Sequence, residues 1–109
     1  MLPAARSVWP SGRGLAARAI KEGGAGVRSR LDWAWRQALG RTPREDEAAA
    51  ARVVLEKHMV QYARDPAAAK AVLQVGLAPP PQDVPPAELA AWTSVARIIL
   101  NLHETITRN

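Results

Sequence analysis

The groups in this 109-residue chain that could move a proton or hold a metal are few, and their spacing works against both uses. His58 and His103 are the only histidines. Neither has a carboxylate or a second histidine three or four residues away, where a helix would bring two ligands to one metal. Both read as hydrogen-bonded structural histidines. Asn101, His103 and Glu104 offer acid–base groups close together, but successive helical positions point to different sides, and no nucleophile accompanies them. Cysteine is absent, which removes disulfides, thiolate metal sites, a cysteine nucleophile and covalent haem attachment from this chain. Gly12, Gly14, Gly23, Gly24 and Gly26 form neither a dinucleotide fingerprint nor a phosphate loop, and no strand is predicted. These residues point to no catalytic, cofactor or metal site. An enzymatic role would require a site completed by domains outside this chain.

Charge offers a second route to function. The formal net charge is +5. It resides in the first thirty residues, where Arg6, Arg13, Arg18, Lys21, Arg28 and Arg30 face Glu22 alone, while the remainder of the chain is balanced. A nucleic-acid-binding fold is expected to carry its basic face on the folded part, so nucleic acid is an unfavoured partner. The alternative is a binder of nucleic acid or anionic surfaces acting through the basic arm, with Trp9 beside the arginines. No apolar run approaches the roughly 20 residues needed to cross a bilayer as a helix.

The elements that would position these groups are helical throughout. Residues 1–26 combine Pro3, Pro10 and five glycines with scattered arginines and are expected to form a disordered basic arm. Leu15 to Lys21 is the one helical fragment in it. An organellar transit peptide, a flexible arm and an arbitrary start of a longer chain all fit this composition.

From Val27 to Leu39 the apolar spacing predicts a helix that buries Leu31 and leaves one of Trp33 and Trp35 partly exposed, with Gly40 ending it in a left-handed turn. Thr42 is the expected cap of the next helix, Pro43 its first residue and Glu45 the reciprocal half of a capping box. On that reading Thr42→Ala costs about 1 kcal/mol. The helix is expected to reach about Ala63, with Ala48, Ala51, Leu55, His58, Met59 and Tyr62 inward. Asp65 and Pro66 repeat the device for a short helix through Ala67 to Val75, stopped by Gly76. The proline-rich stretch from Leu77 to Pro86 then runs extended as a connector, although an SH3-type or WW-type ligand has similar composition.

The last helix, from about Pro86, is the organising one. Leu89, Trp92, Val95, Ala96, Ile99, Leu102 and Ile106 recur at helical spacing and form one apolar face, with Trp92 as its largest anchor. Asn101 interrupts that helix, and a buried amide there would need hydrogen-bonding partners, which makes it a candidate structural lock. The expected anchors are thus Thr42, Pro43, Glu45, Tyr62, Trp92, Ile99, Asn101 and Leu102. The fold class is all-α, a small bundle of about four helices over residues 27–109 behind the arm.

At the last helix a resemblance appears. Trp92, Ala96, Arg97, Ile98, Ile99, Leu100, Asn101, Leu102 and Glu104, together with the run ALGRTPREDE from Ala38 to Glu47, resemble the C-terminal end of a family of planctomycete domains of unknown function. Proteins of that family often also carry a cytochrome-c-like haem domain. The resemblance covers roughly residues 30 to 109, whereas residues 1–29 match no part of it. It implies a C-terminal fragment of a larger domain, packed on the remainder of its parent or on another chain. For a full-length parent it implies a periplasmic or envelope setting. No cofactor is implied for this chain, which has no haem-attachment motif. The function expected is a non-enzymatic helical packing or interaction module.

Overall fold

A computed structural model describes residues 12–73 and 84–108, with side chains to Leu102. Five helices are present among them: α1 (Gly12–Glu22), α2 (Val27–Leu39), α3 (Glu45–Arg64), α4 (Pro66–Leu73) and α5 (Pro86–Arg108). The all-helical expectation holds, and the bundle has one helix more than the four expected.

The additional helix is α1, which contains the fragment Leu15 to Lys21 that its spacing marks as helical, inside the stretch whose composition suggested a disordered arm. Residues 12–22 instead bury Leu15, Ala16, Ala19 and Ile20. An isolated helix of this length is marginal in water. Its stability comes from packing, mostly against α5 and secondarily against α2. Two further ties fix it in place. Gly12 comes so close to α5 that an added Cβ would lie 2.8 Å from Arg97 Cγ and 3.2 Å from the Thr93 carbonyl oxygen. Arg13 Nη1 donates to the Leu73 carbonyl oxygen at 2.6 Å, at the end of α4. Residues 1–11 lie outside the described part, so the expectation of an arm there stands apart from this correction.

Helix α2 has the expected bounds. Trp35 is buried, Trp33 is half-buried, and Gly40 closes the helix at φ 77° with its N–H donating to the Arg36 carbonyl. A side chain there would meet no steric obstacle but would have to adopt the left-handed backbone that glycine tolerates.

Helix α3 begins later than Thr42 and Pro43 suggested. Its cap position is Arg44, whose extended backbone precedes Glu45, and Glu47 Oε1 accepts the Arg44 N–H at 2.9 Å. Thr42 is exposed and does not cap; Pro43 is buried ahead of the helix, and Glu45 is the first helical residue, not the third. The reciprocal carboxylate is therefore Glu47. It prevails because Arg41 also grips it, with Nη1 at 2.8 Å and Nη2 at 3.0 Å, which fixes the loop and the first turn together.

Ala48, Ala51, Leu55 and Tyr62 turn inward as expected, whereas Met59, also expected inward, is exposed at 36%. Asp65 Oδ1 accepts the Ala68 N–H at 3.2 Å and starts α4 as its sequence predicts. The end expected near Val75 and Gly76, and most of the proline-rich connector, lie outside the described residues.

Helix α5 is the hub. It packs on each of the other four, most extensively on α1 and α3. Leu89, Val95 and Ile99 are fully buried and Trp92 is 2% exposed, as the apolar stripe predicts. Thr93 is also fully buried, and its Oγ1 donates to the Leu89 carbonyl at 2.7 Å within the same helix, so its own hydroxyl is satisfied.

Candidate functional site

Among the described residues, polar side chains gather at several places that grow out of the packing just described, and three of them tie helices together. The first lies between α3 and α5. His58, half-buried on α3, places Nδ1 2.8 Å from Ser94 Oγ on α5, and the His58 ring meets the edge of Tyr62 at a centroid distance of 5.7 Å. A serine beside a histidine raises the question of nucleophilic catalysis. Ser94 sits within α5, where the surrounding backbone N–H groups are committed to the helix. Ser94 Oγ also lies 3.4 Å from the Ala90 carbonyl, a contact typical of a helical serine. The pair joins two helices, in keeping with the structural role expected of His58.

The second place is the α2–α3 junction. Arg28 donates from Nε to Asp32 Oδ1 at 2.9 Å and from Nη2 to Glu45 Oε2 at 3.0 Å, clamping the start of α3 to α2. Those two bonds hold the Arg28 guanidinium above its ordinary pKa, with Glu45 the larger influence, and Arg28 in turn holds Glu45 below the ordinary carboxylate range. Glu47 is pushed down to about 2, chiefly by Arg41 and then by the Arg44 backbone N–H. A shallow groove beside this clamp has an apolar floor of Val27, Leu31, Ala48 and Ala49. Its rim arginines are already paired, Arg28 as above and Arg52 with Glu56, so no free charge converges on it.

The third is built around Trp92. Arg30 lies over the indole at 6.0 Å from its centroid, donates from Nη1 to Glu88 Oε2 at 3.1 Å and from Nε to the Gly24 carbonyl at 3.0 Å. One side chain thus ties the α1–α2 turn to α5.

The sequence-predicted anchors fall into two groups. Tyr62, Trp92 and Ile99 are buried in the core and Leu102 packs half-buried against it. Pro43 is buried in the loop, whereas Thr42, Glu45 and Asn101 are exposed. Asn101 is exposed, so the burial that its reading as a structural lock requires is not met. The side chains of His103 and Glu104 lie outside the described residues. Ser94 and Thr93 are not singled out by sequence, and Arg13 and Arg30 enter there only as charges of the basic arm. Arg13 and Arg30 act on partners about sixty positions away, and nothing local to either announces the partner.

Among the described residues no group of three or more acidic or histidine side chains could hold a metal ion, and no helix is long and apolar enough to cross a membrane. No protein-family model matches the chain, and neither does any curated protein or solved structure.

Proposed function

We propose that this chain is a non-enzymatic helical packing or interaction module, working against the remainder of a larger protein or against another chain. The observation that carries the reading is the outward face of α3. Val53 is 63% exposed and Val60 is 52% exposed. At about 100° per residue both lie roughly 140 to 160° round from Leu55, which faces the core. Apolar side chains this large, two turns apart on one outward stripe, fit a helix covered on both sides. The resemblance of the last helix and of residues 38–47 to the planctomycete family supports the further reading that the chain is the terminal piece of a larger envelope-associated protein.

The rival reading, an anionic-surface binder using the basic N-terminal residues, is weakened by what those residues do. Arg18 pairs with Glu22, Arg28 with Asp32 and Glu45, and Arg30 with Glu88, while Arg13 caps α4. Cations spent on internal partners are less available to phosphates.

Sedimentation over a wide concentration range, with an apolar dye as second readout, tests the proposal. The wild-type chain is expected to associate or take up dye, and V53S/V60S is expected to do so less while keeping its melting temperature. A wild-type chain that stays monomeric and dye-free would overturn the reading, and salt-sensitive binding to duplex DNA or anionic vesicles would favour the rival.

A further inference from the structure

No further inference is drawn: the strongest candidate, the outward apolar face of α3 around Val53 and Val60 with the shallow groove between α2 and α3 at its N-terminal end, is an unpartnered surface, and nothing in the structure shows what covers it.

Discussion

Trp92 illustrates how single side chains hold this bundle. Its ring is 2% exposed, and Arg30 covers it while pairing with Glu88. Removing a buried tryptophan side chain takes away both its transfer free energy and its contacts, typically about 3 to 5 kcal/mol. That is a large part of what a domain of this size has to lose. Trp92→Ala is therefore expected to abolish the cooperative melt, read by circular dichroism during a thermal scan.

Glu47 provides a milder and pH-dependent case. Its carboxyl titrates near 2 in the folded chain, below its ordinary value of 4.5, because Arg41 and the Arg44 N–H favour the charged form. A depressed carboxyl stabilises the fold fully above its unfolded pKa, and the contribution disappears as pH falls through the folded one. The wild-type chain should accordingly lose stability on acidification below the ordinary carboxylate range. Glu47→Gln should melt lower than wild type at neutral pH, with the difference closing near pH 2. A constant difference across that range would show that the charge is not responsible.

At the scale of elements, α1 and the start of α3 are where tertiary contacts redraw the boundaries. Residues 12–22 are too few to hold a helix alone, so their helix depends on Leu15, Ala16, Ala19 and Ile20 finding α5. Leu15 is fully buried, and Leu15→Ala is expected to cost about 2 to 5 kcal/mol in a denaturant titration. A change within about 0.5 kcal/mol, the range of an exposed substitution, would return α1 to the status of a solvated arm.

The cap of α3 separates two readings of the same loop. Threonine before proline is a sound local signal, but Thr42 is exposed and the first turn is organised by Glu47. Thr42→Ala should then lie within about 0.5 kcal/mol of wild type, whereas Glu47→Ala should cost about 1 kcal/mol through the lost cap. Equal effects would mean that the two share the role. Helix α4 shows the opposite outcome, since Asp65 caps it where its sequence says it should.

Over the whole molecule, one helix touching the other four makes the fold depend on α5 as a common surface. Close approach is required along it. The Cβ of any other residue at position 12 would press on Arg97 and the Thr93 carbonyl, and Thr93 lies in the buried core. Gly12→Val is therefore expected to loosen α1 specifically. Amide exchange should rise over residues 12–22 while α3 and α4 keep their protection, and uniform loss of protection would contradict a separate docking step. The same architecture leaves one side of α3 at the surface, with Val53 and Val60 exposed.

Periodicity alone determined a good deal: the helical class, the bounds of α2, the start of α5 and the burial of Leu31, Leu55, Tyr62, Trp92, Val95 and Ile99. In each of these the apolar spacing is local and strong enough to define a face without knowing what it faces. Tertiary structure alone decided the rest. It made the fragment at Leu15 to Lys21 a packed helix over residues 12–22, because the apolar surface that stabilises them lies on α5 at the other end of the chain. It left Asn101 exposed, because which side of α5 meets solvent depends on where the other helices sit. It gave Arg13 and Arg30 their roles, because their acceptors, the Leu73 carbonyl and Glu88, are distant in sequence and adjacent only once the helices have packed.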